Sequence, residues 1–398
     1  MVIYIPTAMI FFYLLFRLVL PSRLTLKYKA AAGVALFLVS QSPLLKRLFF
    51  GSLSAPELPV PVLLIQGWLF ICLLLLCALV LARDAVRLAG WTAGRLRSFI
   101  QARAKPVSLD RRRFLSRGVA AVPAALGAKQ AFLSGLIMLP TAYGVSQSIA
   151  VPVVKAHDIA LPGLPRGLDG FSLVQISDTH VSPLLRKDWV GSLVERVNGC
   201  NPDLIIITGD LVDGLPADRA DSVAVFRKLK ARHGVFACAG NHEYYSDFHA
   251  WMAMFAELDI RMLLNAHTVV EDGGGELVIA GVTDPVAANF ALPEPDLAAA
   301  LAGAPDAAPR ILLDHRPGNA AANAAARIDL QLSGHTHGGH MLGMTELVAM
   351  FNHGYVHGWY DVKGMPMYVN SGAGLWSGFP VRLGVPPEIA RITLRCTV

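Results

Sequence analysis

Five short apolar runs in the second half of the chain end in side chains that bind divalent metals. Residues 171–176 lead into Asp178, Thr179 and His180, residues 203–208 into Gly209 and Asp210, and residues 234–239 into Gly240, Asn241 and His242. Residues 310–313 lead into Asp314 and His315, and residues 328–332 into Gly334, His335, Thr336 and His337. Carboxylate oxygen, amide oxygen and imidazole nitrogen are the donors that hard and borderline cations take, and no cysteine stands among them. Residues i and i+2 of an extended segment share a face, so Asp178 with His180, and His335 with His337, are expected to converge on one centre or to bridge neighbouring ones. Glycine before Asp210, Asn241 and His335 lets the backbone turn sharply and come close to an ion. Each fragment alone is ordinary turn chemistry. The ordered set between 178 and 337 is too specific for chance.

The runs that carry these residues read as buried strands. Helical stretches at 189–200 and 220–231 separate the first three, and such alternation argues for an α/β domain. Open α/β sheets place their sites at the carboxyl ends of strands, where these residues fall. Residues 291–309, rich in Ala and Pro, are expected to form a surface helix with flanking loops. Residues 150–170 hold Pro152, Pro162 and Pro165 and read as a linker and entry to the domain.

The first half has a different character. Residues 58–82 form an uncharged apolar run of 25 residues, long enough to cross a bilayer core of about 30 Å as a helix. Residues 2–20, 30–45 and 118–145 are further candidate spans, the last interrupted by Pro123, Lys129 and Pro140. Between 83 and 117 ten basic residues face only Asp84 and Asp110, which makes this segment +8 within a chain of net charge +6. The basic balance is therefore a juxtamembrane feature, read as a topology signal and not as a nucleic-acid surface. No zinc-finger or RNA-binding pattern accompanies it. The basic loops place the amino terminus outside. Asp110, Arg111, Arg112, Arg113, Phe114, Leu115 and Ser116 are similar to a bacterial twin-arginine export signal, so the second half is expected to be extracytoplasmic. The division expected is 1–149 as a membrane region of three to four transmembrane helices, 150–170 as linker, and 171–398 as catalytic domain. Cys72, Cys77, Cys200, Cys238 and Cys396 show no paired spacing and are read as free thiols.

Taken together, the ligand set resembles the calcineurin-like metallophosphoesterases from about residue 153 to the end. The membrane-anchored arrangement is similar to the subgroup that includes the Bacillus protein YkuE and animal transmembrane metallophosphoesterase proteins. The closing stretch supports it: Tyr368, Val369, Asn370, Ser371, Gly372, Ala373 and Gly374, then Pro380, Arg382 and Pro387, Glu388, Ile389. The resemblance implies two mixed β-sheets packed as a sandwich flanked by helices, preceded by an all-α transmembrane region. It implies two divalent metal ions (Mn, Fe, Zn or Co). Asp178, His180, Asp210 and His337 would hold one, and Asp210, Asn241, His315 and His335 the other. It implies His242 as general acid, with Asp213 orienting it, and a hydroxide bridging two cations as nucleophile on phosphorus. In phosphoprotein phosphatases an arginine follows that second aspartate. Gly214 stands here, which argues against a phosphoprotein substrate and leaves Arg316 and Arg382 as candidate phosphate-binding cations.

A bilayer-tethered domain favours lipid-linked or cell-envelope phosphoesters. The subgroup resembles enzymes that cleave the pyrophosphate of UDP-2,3-diacylglucosamine, a substrate made on the cytoplasmic face, which conflicts with export. Expected partners are that substrate and the lipid bilayer of a bacterial inner membrane, crossed several times, with no nucleic acid. A zinc peptidase is excluded because Ser246 stands where the second histidine of H-E-x-x-H would be. A non-catalytic membrane sensor or scaffold retaining the fold is the alternative. It predicts loss of a bridging ligand or of His242, and all are present. His340, His353 and His357 follow the G-H-T-H turn and are read as structural.

Overall fold

A computed structural model describes residues 4–50, 56–103 and 126–397. It divides into two compact units, Met1–Leu45 with Trp68–Ala142 and Lys46–Gly67 with Tyr143–Val398. The twin-arginine-like stretch and the start of the candidate span at 118–145 lie outside the described residues.

The apolar runs of the first half form helices. They are α1 (Tyr4–Leu14), α2 (Leu26–Ser40), α3 (Ser42–Phe50), α4 (Val60–Arg103) and α5 (Leu126–Ser148), and a π-helical turn, Leu15–Val19, continues α1. Among the described residues one helix, Val60–Phe99, is long and apolar enough to cross a membrane. The α2–α3 pair reaches that length only when taken together, with a 65° bend, and Ile5–Val19 is shorter. At 44 residues α4 is about 66 Å long at 1.5 Å per residue, so it outruns a bilayer core. Its last part carries the basic residues that follow Ala82.

From Val153 onward the chain alternates strands and helices: β1 (Val153–Leu161), β2 (Ser172–Ile176), α6 (Lys187–Gly199), β3 (Leu204–Thr208), α7 (Pro216–Val223), β4 (Val235–Cys238), α8 (Asn241–Tyr245), α9 (Phe248–Glu257) and β5 (Ile260–Met262). There follow β6 (Ala266–Asp272), β7 (Gly275–Gly281), α10 (Leu297–Leu301), β8 (Arg310–Leu313), α11 (Ala320–Ala325), β9 (Leu330–Ser333), α12 (Thr345–Phe351), β10 (Gly358–Val362), β11 (Met365–Val369) and β12 (Glu388–Cys396). The strands make two six-stranded mixed sheets, in the orders β1-β12-β2-β3-β4-β5 and β10-β11-β9-β8-β7-β6. In the first sheet β2 to β5 run parallel. In the second, β7, β8, β9 and β11 do so.

The packing explains why these strands read as continuous apolar runs. Parallel strands covered on both faces have no solvent side. Leu173, Leu204, Ile206 and Phe236 point inward and meet Ile279, Ile311, Leu313, Leu330 and Leu332 of the other sheet. The alternate residues Val174, Ile176, Ile205 and Ile207 point outward, into a layer with Val190 and Leu193 of α6 and Trp251 and Phe255 of α9. Gln175 is a polar member of the inner layer. Its Nε2 donates to Thr208 Oγ1 at 2.9 Å and to the Ser333 carbonyl at 3.0 Å, tying the ends of β2, β3 and β9 together.

Helix boundaries differ from expectation in two places. The helix expected at 220–231 starts earlier, at Pro216, and gives way after Val223 to a 3-10 turn, Ala224–Lys228. Residues 291–309 supply only α10, because Pro293, Pro295 and Pro305 leave little room for a longer helix. Trp251 is fully buried, lies 5.6 Å from Phe255 ring to ring, and donates from Nε1 to the Gly214 carbonyl at 3.1 Å. Trp251→Ala is therefore expected to cost about 3–5 kcal/mol, read as a lower unfolding midpoint by calorimetry. It should also loosen the loop next to Asp213.

Candidate metal centre

The carboxyl ends of β2, β3, β4, β8 and β9 bring the expected residues together. Asp178, His180 and His337 form one group of potential ligand atoms within 4.8 Å of one another, and Asp210, His315 and His335 form a second. His180, Asp210 and His242 form a third on the same criterion, so the groups share members. Asp210 lies between the first two: its Oδ2 is 3.7 Å from His180 Nε2 and 3.3 Å from His315 Nε2.

The convergence does not arise from extended backbone. Asp178 and His180 have φ of 52° and 43°, Asp210 54°, and His335 and His337 71° and 48°. Left-handed conformations at non-glycine residues cost energy and persist where surrounding structure fixes them. Here hydrogen bonds do so. His180 N donates to the Asp210 carbonyl, and Asp178 N to the Gly209 carbonyl, each at 3.0 Å. The Asp178 carboxylate accepts from His335 N at 3.1 Å and from Ser177 Oγ at 2.5 Å. The glycines also act differently from expectation. Gly209 uses its freedom (φ +82°), whereas Gly240 and Gly334 are required for space. A Cβ on Gly240 would collide with Asp210 Oδ1, and one on Gly334 with Ser177 Oγ and Asp178 Oδ2.

The donors fit cations. His180 Nε2 and His337 Nε2 face each other at 3.1 Å, and the Asp178 carboxylate is 3.4 Å from His337 Nε2. His315 donates from Nδ1 to the Thr208 carbonyl at 2.7 Å, which turns its Nε2 inward, 3.3 Å from the Asp210 carboxylate. Asn241 Oδ1 is buried and unpartnered. Burial, followed by the cationic neighbours His315 and Arg316, holds His335 well below its usual pKa, and burial followed by His340 and His180 does the same to His337. Both rings are thus neutral, with nitrogens free to serve a cation. Burial disfavours the His315 imidazolium, but Asp210 and then Asp178 outweigh it and raise its pKa to about 10. A proton and a cation compete for that nitrogen, and the same carboxylates attract either.

His242 and Asp213 stand beside the clusters. His242 Nδ1 is 2.5 Å from Asp213 Oδ1, and the same oxygen is 3.2 Å from His180 Nδ1. Burial works against the His242 cation, but Asp210 and Asp213 raise its pKa to about 9.

Sequence reasoning passed over Glu243. Its fully buried carboxylate accepts from Gly240 N at 2.7 Å, Asp210 N at 3.0 Å and Leu211 N at 2.6 Å, and so joins the turns after β3 and β4. Burial, then the nearby Asp210, raises its pKa to about 7 against the pull of these N–H groups. The available signal was an acidic residue three positions after a glycine N-cap. Glu243→Gln places an NH₂ against backbone donors. It is expected to weaken Mn²⁺ affinity about 10–100-fold, measured by titration calorimetry.

Two residues singled out as phosphate-binding cations are otherwise engaged. Arg382 is 1% exposed, and its terminal nitrogen donates to the carbonyls of Ser371, Gly372 and Gly374. It braces the closing loop. Arg316 forms a two-point pair with the buried Asp284 at 2.6 and 3.1 Å. His340 stacks on His337, 4.7 Å between rings, and meets Phe379 edge-on.

The family model for calcineurin-like phosphoesterases matches residues 171–339. An uncharacterized metallophosphoesterase of Aquifex aeolicus is 31% identical over 61% of this chain and 91% of its own length. The chain belongs to the calcineurin-like phosphoesterase family. An uncharacterized metallophosphoesterase of Campylobacter jejuni is 32% identical over 63% of this chain, and the match spans just under two thirds of that relative, 65%. A transmembrane protein with metallophosphoesterase domain from Danio rerio is 33% identical over 64% of this chain and 60% of its length. That relative and the apolar helix of spanning length among the described residues suggest membrane association of this chain.

Proposed function

We propose that the chain is a binuclear metal-dependent phosphoesterase that hydrolyses phosphoester or pyrophosphate bonds of lipid-linked or cell-envelope substrates. The observation that supports this reading is Asp210, a member of the Asp210/His315/His335 group whose carboxylate also lies 3.7 Å from His180 of the Asp178/His180/His337 group. Asp178, His180, Asp210 and His337 would hold one ion, and Asp210, Asn241, His315 and His335 the other. When bound, two divalent ions supply charge to clamp phosphate oxygens and acidify water at neutral pH. The chain's own part is placement and proton handling. Thr208 fixes the tautomer of His315, and Asp213 holds His180 so that Nε2 faces the cluster. Asp213 also holds His242 by Nδ1, leaving Nε2 as the nitrogen that can protonate a leaving oxygen.

Hydrolysis of bis(p-nitrophenyl) phosphate with added Mn²⁺ tests the reading. The full chain is expected to turn it over and Asp210→Asn to lose activity, while His242→Ala loses most on an alkyl diester, whose leaving oxygen needs a proton. Equal rates for the full chain and Asp210→Asn would sink it. We further propose a multi-pass placement in a bacterial inner membrane with the domain extracytoplasmic. A carboxyl-terminal alkaline phosphatase fusion should then be active and a fluorescent-protein fusion dark. The reverse result would move the domain to the cytoplasmic face, where a UDP-diacylglucosamine-type pyrophosphate is the fitting substrate.

A further inference from the structure

From Val153 onward, the described residues include nine large apolar side chains that are exposed, and four of them fall between 342 and 351. Leu342 is 68% exposed, Leu347 50%, Met350 79% and Phe351 78%. The last three lie on α12 at i, i+3 and i+4 and share one face. None of the residues of α12 is buried. A seven-residue helix has little stability of its own in water, and apolar side chains concentrated on it call for a covering.

The surroundings indicate which covering. Within the same compact unit, the segment leading to α12 pairs with the closing loop: Leu383 N donates to the His340 carbonyl at 3.1 Å, and Leu342 N to the Leu383 carbonyl at 3.0 Å. One residue earlier, Arg382 N donates to the Gly144 carbonyl of α5 at 2.8 Å. Two residues before that, Pro380 packs so closely on Gly67 that a Cβ there would collide with it. Gly67 lies in the apolar stretch of α4, the helix of membrane-spanning length. The exposed patch is therefore one paired segment away from chain that enters the bilayer. It also adjoins the turn that carries His337. A Cβ on Gly339, in the turn that carries His337, would lie 2.8 Å from Thr345 Cα, the first residue of α12. Glu346 is the acidic residue of the helix and sits in its first turn, where an interfacial helix keeps charge at headgroup level.

We infer that Leu342, Leu347, Met350 and Phe351 form a bilayer-seated edge of the catalytic unit, with the His337–His340 side of the site held at lipid headgroups. The substrate class that follows is a phosphoester whose apolar tail stays in the membrane. The seating rests on membrane association, and the substrate class rests in addition on the hydrolytic reading, so the test below uses no activity.

The full chain, with Cys72→Ser, Cys200→Ser and Cys396→Ser to leave only the buried Cys77 and Cys238, receives Phe351→Cys and an environment-sensitive nitrobenzoxadiazole label. It is reconstituted in phosphatidylethanolamine–phosphatidylglycerol vesicles with or without lipids brominated in the upper acyl chain. A control carries the label at Asp306→Cys, a position 96% exposed on its side chain. The expected result is blue-shifted emission at 351, most of it lost with brominated lipid, and neither effect at 306. Matching water-like emission at both positions overturns the proposal. A blue shift at 351 that brominated lipid does not quench also overturns it, in favour of a protein partner or a second copy. Met350→Cys gives an independent position if the first variant fails to fold.

Discussion

Asp210→Asn is expected to lower phosphodiester hydrolysis by about three orders of magnitude or more and to reduce bound Mn²⁺ from two ions per chain to one or none. Losing a single preorganised electrostatic partner already costs about 10²–10³ in rate. Asp210 stands 3.7 Å from His180 of one ligand group and 3.3 Å from His315 of the other, so on the proposed reading its loss should exceed that. The carboxylate is buried, which by itself would raise its pKa. His315, His242 and His180 surround it and instead hold it well below the usual carboxylate range. Its Oδ1 accepts from His242 N at 2.8 Å, and its own N–H donates to Glu243. An asparagine keeps the shape and one oxygen acceptor but brings no charge. The loop should then stay folded while the site loses the group its histidines are arranged around. Metal content by mass spectrometry, read beside a thermal unfolding curve, separates this from general damage. Unchanged stoichiometry with full activity would show that Asp210 is not shared.

Much of this site is legible in the sequence because ligand chemistry is local. Asp178 with His180, and His335 with His337, are spaced so closely that residue type alone marks them. The way they converge is not legible. The left-handed backbone at Asp178, His180, Asp210, His335 and His337 depends on hydrogen bonds between turns far apart in the chain, such as His335 N to the Asp178 carboxylate. The same limit hides Glu243, which looks like a helix cap until Asp210 N and Leu211 N are seen to donate to it. Among the strands, β2, β3, β4, β8 and β9 announce themselves as apolar runs because both faces are covered. β1 does not, since half-buried residues alternate with exposed ones along it and its pairing with β12 joins Val153 to Glu388 across most of the domain. The β6–β7 hairpin carried a usable signal, Gly273 and Gly274 at positive φ in its turn. Arg382 shows the opposite failure. An arginine close to a set of metal-ligand-type residues suggests phosphate binding, and only packing reveals that three backbone carbonyls already occupy it.

His242→Ala and Asp213→Asn are expected to slow the reaction in ways that differ measurably. A general acid contributes roughly 10²–10⁴ in rate, and more when the leaving oxygen is basic. His242→Ala should therefore lower kcat by about that factor for an alkyl phosphodiester, and much less for the p-nitrophenyl ester, whose leaving group departs without a proton. Metal affinity should change little. Asp213→Asn should reproduce the leaving-group dependence, because one carboxylate oxygen holds His242 Nδ1. It should also weaken metal binding about 10–100-fold, because that same oxygen meets His180 Nδ1. The carboxylate can serve both rings because it stays charged: burial disfavours the anion, but His180 and His242 outweigh it and keep its pKa near about 2. An amide offers one neutral oxygen and an NH₂ that one of the two rings must face. Rate measurements on both esters, together with Mn²⁺ titration of both variants, give a four-way comparison. A His242→Ala defect of equal size on both esters would remove His242 from the role of acid. An Asp213→Asn variant with wild-type Mn²⁺ affinity would confine Asp213 to His242 alone.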